Sequence, residues 1–228
     1  PALSLGVVKV ANSALLGRLV KVETVSQAVT RIGLRQITSL STAIVLEQVF
    51  VSKNETIAMY MNKYWMKSID VASVAITLMT RYLKENKHAN FSIDTMTLAA
   101  LVHNIGVLPI LTEAEHHTDV FANPTFLQQA ISNLAGGLGG DITREWGLSA
   151  QFSTLAECWS DLTVLPKEAH YLDFIRAGAI KNGVFKNPST QSSLLKSYVK
   201  KGILPDLDYM DNDEFLVECE SVKQAFII

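Results

Sequence analysis

The stretch of sequence that decides the fold is Leu98-Ala99-Ala100-Leu101-Val102-His103-Asn104-Ile105-Gly106-Val107-Leu108. Its apolar residues predict a core helix that begins behind Ser92 as N-cap and is ended by Gly106 and Pro109. This helix places the imidazole of His103 next to the carboxamide of Asn104. A neutral imidazole and a carboxylate can share one divalent cation, but a carboxamide lacks the negative charge that holds a hard cation. The stretch therefore predicts a metal-binding helix that has lost part of its chemistry.

Charge and composition restrict the partners. The chain has 228 residues, with 20 Lys and Arg against 22 Asp and Glu and a net charge of -2. It therefore has no broad positive surface for nucleic acid, and its longest basic run is Lys200-Lys201. Cys158 and Cys219 lie far apart and predict buried free thiols, which fits a reducing, cytoplasmic compartment. The uncharged runs 95–112 and 120–140 contain polar residues, so we expect neither to span a membrane.

The periodicity is helical nearly everywhere. Thr24 and Gln27 have the form of a capping box that opens a helix ending at Gly33. Asn54 opens a long helix toward Leu83, and later breaks fall at the proline-containing positions Pro166, Asn187-Pro188 and Pro205. No alternating strand pattern of useful length is present. The sequence predicts an all-α array of roughly ten to twelve helices.

A glycine-rich run, Gly136-Gly137-Leu138-Gly139-Gly140, follows a helix that starts at Asn123-Pro124. We expect the run to interrupt this helix at about Ala135. A phosphate cradle of the P-loop type needs a preceding strand and a following Gly-Lys pair, and the sequence has neither. We interpret the run as a site of close helix packing or as a flexible elbow.

Five spaced motifs together resemble the HDOD domain, a bacterial signalling relative of the HD-domain phosphohydrolases. They are the apolar helix ending at Asn12-Ser13, the helix Val25 to Gly33, the element Trp65-Met66-Lys67-Ser68, the element Leu101-Val102-His103-Asn104-Ile105-Gly106, and the helix Gly139 to Trp146-Gly147-Leu148. The resemblance covers about Pro1 to Leu162. It implies a multi-helix, HD-domain-like array with no significant sheet. We expect an HDOD-like domain over residues 1–186 and a C-terminal helical extension, 187–228, that packs on it.

The resemblance also implies where a catalytic relative would bind its metal. The first ligand position falls on Lys67, whose ammonium has donors only and repels a cation. His103 matches the second ligand and Asn104 replaces the third. The later positions fall on Ala135 and on Trp159-Ser160. Because a catalytic metal usually has three protein ligands, we expect no metal, no cofactor and no catalytic residue, and we name Lys67, His103 and Asn104 the relic site.

Two pairs of polar residues can each be interpreted in more than one way. His103 and Asn104 are either satisfied polar residues of a helical core, or part of a pocket in which Lys67 lies near Asn104 and supplies the charge of the lost metal. His116 and His117 are adjacent and point in different directions on a helix, whereas Glu113 and His117 are spaced to meet. We expect a solvated charge pair there rather than a metal site.

The resemblance implies a non-catalytic regulatory module of bacterial signal transduction that acts through contacts with a protein partner. We expect neither nucleic acid nor a membrane as partner. Two alternatives remain. One is a residual metal-dependent phosphohydrolase that acts on a nucleotide or phosphoester. The other is a small-ligand sensor that holds a nucleotide phosphate or another anion at Lys67, His103 and Asn104.

Overall fold

The computed structural model describes residues 23–24, 26–27, 30, 41, 45–46, 48–117 and 123–227. Within these ranges the chain forms helices and no strand, which confirms the predicted all-α class. The α-helices are α1 (Glu55–Glu85), α2 (Ile93–Val102), α3 (Val107–His116), α4 (Pro124–Glu145), α5 (Ala150–Cys158), α6 (Tyr171–Lys181), α7 (Pro188–Lys200) and α8 (Asp213–Gln224), with a 3-10 helix at Tyr209–Asp211 between the last two. The helices predicted before Asn12-Ser13 and up to Gly33 lie mainly outside the described residues.

Local capping signals fix several helix starts where the sequence predicts them. The Thr24 and Gln27 side chains each accept the other residue's backbone N–H, at 3.2 and 3.3 Å, as a capping box requires. The Asn54 side chain accepts the N–H groups of Thr56 and Ile57 at the start of α1. The Ser92 side chain accepts the N–H of Thr95 at the start of α2. These bonds satisfy N–H groups that have no partner inside the helix.

Helix α1 is the centre of the core. Its residues 71–79 are buried on every side, which is expected of a helix surrounded by others. Helices α2, α3, α6 and α8 all pack against it. At α6 the approach is close, because a Cβ on Gly178 would lie 2.5 Å from the Val71 carbonyl oxygen. The remaining helices are arranged around this central one.

The stretch Leu98 to Leu108, which the sequence predicts as one helix, belongs to two helices. Helix α2 ends at Val102, residues 103–106 form a turn, and α3 starts at Val107. The predicted stop at Pro109 is wrong, because this proline lies in the first turn of α3, where its missing N–H has no intrahelical partner to lose. The segment Ile93–His116 is long and apolar enough to cross a membrane by composition, but 72% of its most apolar window is buried inside the structure. It therefore supplies core to the fold.

The glycine-rich run does not interrupt a helix, contrary to the prediction. Helix α4 continues from Pro124 to Glu145 through all four glycines, and the run serves close packing. A Cβ on Gly106 would lie 1.9 Å from the Ala135 carbonyl oxygen and 2.5 Å from the Gly139 nitrogen. A Cβ on Gly136 would lie 2.7 Å from the carbonyl oxygen of Glu157 on α5. The glycines therefore let α4 approach both the turn before α3 and helix α5.

The C-terminal segment shares the core of the preceding helices. Leu194 and Tyr198 of α7 and Phe215, Cys219 and Val222 of α8 are buried in the same apolar cluster as α1. A boundary at residue 186 remains a prediction. Both cysteines are free thiols, with Cys219 buried and Cys158 partly exposed, and burial raises the pKa of Cys219 to about 11.

A pair of glycine substitutions tests the close packing. We expect Gly106→Ala to lower the free energy of unfolding by at least about 2 kcal/mol, because the new methyl group overlaps backbone atoms of α4 that cannot move aside. We expect Gly137→Ala to raise it by about 0.5–1 kcal/mol, because nothing lies within 4 Å of the added Cβ and alanine favours the helix. Urea denaturation measures both values. Equal effects of the two substitutions would contradict the packing role.

Candidate functional site

One cavity brings together every position that the family resemblance assigns to a metal ligand. Its volume is about 580 Å³. Lys67 reaches it from α1, His103 and Asn104 from the turn after α2, and Ala135 from α4. Trp159 and Ser160, directly after α5, complete the set. The structure therefore brings these positions together from four separate parts of the fold.

The remaining lining is partly cationic and partly apolar. Lys63 joins Lys67 from the same face of α1, and Lys186 enters from the segment between α6 and α7. The apolar part includes Trp159 and Phe185, whose ring centroids lie 6.1 Å apart. Among the lining residues that the structure describes there is no Asp or Glu. The cavity is therefore positively charged where a metal site would need negative ligands.

His103 is a buried, neutral imidazole. Its side chain lies 2.5 Å, Nδ1 to oxygen, from the Ala100 carbonyl. A carbonyl only accepts, so Nδ1 carries the proton and Nε2 keeps the lone pair. The ring meets Trp159 edge-on, with centroids 4.6 Å apart. Burial lowers the pKa of His103 to about 4, and the bond to Ala100 opposes this shift only in part. The residue is thus a satisfied core histidine that also borders the cavity.

Lys67 and Asn104 share the cavity but are not bonded to each other. Both side chains are half-buried. In the described part of the chain, neither side chain makes an ion pair or a hydrogen bond. The predicted common pocket is therefore present, whereas a direct Lys67–Asn104 contact is not. The ammonium of Lys67 is left without a neutralising partner.

In the other candidate metal cluster, the two side chains that the spacing brings together, Glu113 and His117, are in contact. His117 Nε2 lies 3.0 Å from Glu113 Oε1, and the two side chains are 55% and 62% exposed. Across the residues that the structure describes, no three His, Cys, Asp or Glu side chains are grouped to hold a metal ion. An exposed pair of this kind contributes little to stability.

A buried arginine that the sequence analysis missed fixes one wall of the cavity. The side chain of Arg176 on α6 is fully buried, and its guanidinium donates to four backbone carbonyls, those of Cys158, Trp159, Asp161 and Val164, at 2.6–2.9 Å. The first two carbonyls end α5, where the helix dipole is negative. Burial lowers the pKa of Arg176, but the guanidinium keeps its charge. Its place between the apolar residues Ile175 and Ala177 of α6 was the signal for it.

Comparison with known proteins gives a consistent result. The family model for the HDOD domain matches residues 1–161, and a search of curated proteins gives no match. A solved structure from Shewanella amazonensis SB2B, provisionally named a metal-dependent phosphohydrolase, is 38% identical and has a TM-score of 0.92 over 99% of this chain and 81% of its own.

Two more distant structures share the fold. One is an HDOD domain protein with unknown function from Geobacter sulfurreducens, with 15% identity and a TM-score of 0.60 over 99% of this chain and 83% of its own. The other, provisionally named a phosphohydrolase, is also from Shewanella amazonensis SB2B, with 18% identity and a TM-score of 0.62 over 99% of this chain and 81% of its own. At these identities the similarity establishes the fold alone.

The role of Arg176 is open to a direct test. We expect Arg176→Met to lower the free energy of unfolding by about 3–5 kcal/mol, because it leaves buried carbonyls without donors. Arg176→Lys should recover only part of the lost free energy of unfolding, since a compact ammonium cannot place donors on all the carbonyls that the planar guanidinium reaches. The matched control is Arg144→Met, which removes an arginine that is 50% exposed and should change stability far less than Arg176→Met does. Chemical denaturation that finds Arg176→Met as stable as this control would contradict the role.

The neutral state of His103 predicts a pH dependence. Its pKa is about 4 in the folded chain against 6.5 unperturbed, so the unfolded chain binds the proton first as pH falls. The stability contributed by the neutral ring is complete above pH 6.5 and is lost between pH 6.5 and 4, by about 3 kcal/mol in total.

The measurement compares wild type with His103→Gln, which keeps an amide donor but does not titrate. We expect the free energy of unfolding of wild type to fall more steeply than that of the variant over this interval. His170, whose pKa burial also lowers, contributes equally to both proteins. Parallel curves for the two proteins would show that His103 titrates normally.

Proposed function

This chain belongs to the HDOD domain family, and we propose that it is a non-catalytic regulatory module of bacterial signal transduction. In this proposal it acts in the cytoplasm through contacts with a protein partner and carries out no phosphoester hydrolysis. The family match over residues 1–161 supports the regulatory role. The composition supports a protein partner over nucleic acid, because the net charge is -2.

The observation that carries the proposal is the cavity whose metal-binding chemistry has been replaced. Lys67, Asn104, Ala135 and Trp159 occupy ligand positions around it. None of these side chains offers an anionic or imidazole ligand, and Lys67 adds a positive charge. A divalent ion placed there would have the lone pair of His103 and no carboxylate to balance its charge. The scaffold is kept while the means of holding a metal are absent from the lining.

The hydrolytic alternative has a weaker basis. Its support is the provisional name of the 38% identical Shewanella amazonensis protein. Metal-dependent hydrolysis needs an ion with an open coordination position that activates water. An ammonium has no such position, and the alanine and tryptophan at the later ligand positions cannot supply it. The residues of this chain therefore favour a binding role.

A metal and turnover assay tests the catalytic question. We expect purified protein to hold less than stoichiometric metal by mass spectrometry. We also expect no turnover of bis(4-nitrophenyl) phosphate above background with added Mg²⁺, Mn²⁺ or Zn²⁺. The positive control restores ligands with Lys67→His, Asn104→Asp and Ala135→His together, which should raise Mn²⁺ affinity by at least tenfold. Stoichiometric metal and turnover in wild type would overturn the proposal.

A complementation assay in the source bacterium tests the regulatory role. We expect His103→Gln, which removes the last metal ligand, to restore the phenotype of a deletion strain as fully as wild type does. The comparison requires equal protein levels, which immunoblotting checks. Loss of complementation by a folded, equally abundant His103→Gln protein would instead indicate catalysis or metal binding.

A further inference from the structure

We propose that the relic-site cavity binds a small phosphorylated anion, whose phosphate groups are held by the ammonium groups of Lys63, Lys67 and Lys186. This inference rests on the proposed non-catalytic function and names the ligand of the same site. The ligand would be bound without a metal and released unchanged. It would give a regulatory module a chemical input.

The first argument is charge without compensation. In the part of the chain that the structure describes, the three cavity lysines have no ion pair and no hydrogen-bond partner. Three other lysines, Lys181, Lys201 and Lys223, each bond an aspartate, at 2.5–2.8 Å. Lys67 is half-buried, whereas Lys63 and Lys186 are exposed. Because the described lining holds these three lysines and no carboxylate, the cavity has a positive potential that attracts anions.

The second argument is the cost of this arrangement to the helix. Lys63 and Lys67 are four residues apart on α1, so they lie on the same face. Like charges at this spacing destabilise a helix. In the part of the chain that the structure describes, neither lysine forms an ion pair with an acidic side chain. A phosphate between the two ammonium groups would convert it into two charge-assisted hydrogen bonds.

The third argument is the size and composition of the cavity. A volume of about 580 Å³ lies in the usual range for small-molecule sites. Beside the lysines, the lining residues include Ser132 and Ser160, which have hydroxyl side chains, and Trp159 and Phe185, which are aromatic. Phosphate groups match the ammonium groups, and a flat ring matches the aromatic side chains. A nucleotide combines both features, whereas inorganic polyphosphate has only the first.

A lysine at position 67 is better explained by an anion-binding cavity than by an apolar packed core. A packed core would be expected to place an apolar side chain there, because a half-buried, unpaired ammonium is costly. His103 adds no charge, because its ring is neutral and its Nδ1–H is bonded to Ala100. The positive charge of the cavity therefore comes from the lysines alone.

Calorimetric titration and thermal shift in the presence of EDTA test the proposal. The probes are inorganic phosphate, pyrophosphate, AMP and ATP, at low ionic strength. We expect at least one phosphorylated probe to bind and to raise the midpoint of unfolding, with affinity that falls as salt rises. Tighter binding of AMP or ATP than of pyrophosphate would identify a nucleotide, and equal or tighter binding of pyrophosphate would identify free polyphosphate.

Lysine variants localise the binding. We expect Lys67→Met to weaken binding of the best probe at least tenfold, which corresponds to the loss of one charge-assisted hydrogen bond. Lys63→Met serves as a second test should Lys67→Met fail to fold. The matched control is Lys84→Met, which makes the same change on an exposed residue of the same helix outside the cavity and should leave affinity within twofold of wild type.

Three outcomes would overturn the inference: no probe binding at millimolar concentration, binding that Lys67→Met and Lys84→Met weaken equally, or binding that appears only when a divalent metal replaces EDTA. Metal-dependent binding accompanied by turnover would also overturn the proposed function. If no probe binds and there is no turnover, the anion-binding proposal fails and the non-catalytic function is unaffected. The two proposals can therefore fail separately.

Discussion

The buried guanidinium of Arg176 is the interaction on which the shape of the site depends. It occupies the carbonyls of Cys158, Trp159, Asp161 and Val164, which would otherwise be polar groups in the interior without donors. It thereby fixes the end of α5 and the loop that follows. Trp159 is held against His103 by the same contacts. Helix α5 also packs closely on α4. The guanidinium of Arg176 therefore positions the cavity wall formed by the end of α5, which contacts within that segment alone would not fix.

The parts of the fold that the sequence predicted are those determined by local chemistry. Asn54 and Ser92 cap helices because their side chains accept nearby N–H groups. For the glycine-rich run, the predicted close packing is present, but the predicted interruption of the helix was wrong for the opposite reason. Helix propensity counts each glycine as a penalty, whereas Gly106 and Gly136 are required by backbone atoms from other elements. Contacts between distant segments therefore overrode the local preference.

The site was predictable to the extent that it lies in motifs. Lys67, His103 and Asn104 were located from the order of family elements, and the structure brings them to one cavity. Arg176 and Lys186 were not found, because they lie after the matched motifs and their neighbours come from distant parts of the chain. A short motif records which residue types stand together. It does not record which buried carbonyls need a donor or where unpaired charges converge.

The charge at the relic site can be compared with the charge at a metal-binding site. In a metal-dependent relative, a divalent ion supplies positive charge and an open position at which water becomes a nucleophile. An ammonium such as that of Lys67 also supplies positive charge, but all its positions are donors and it cannot activate water. Asn104 carries a carboxamide and so offers no negative charge to neutralise it. In the proposed function, the lysines of the cavity attract an anion and no bound metal activates water, so the site recognises its ligand without turnover.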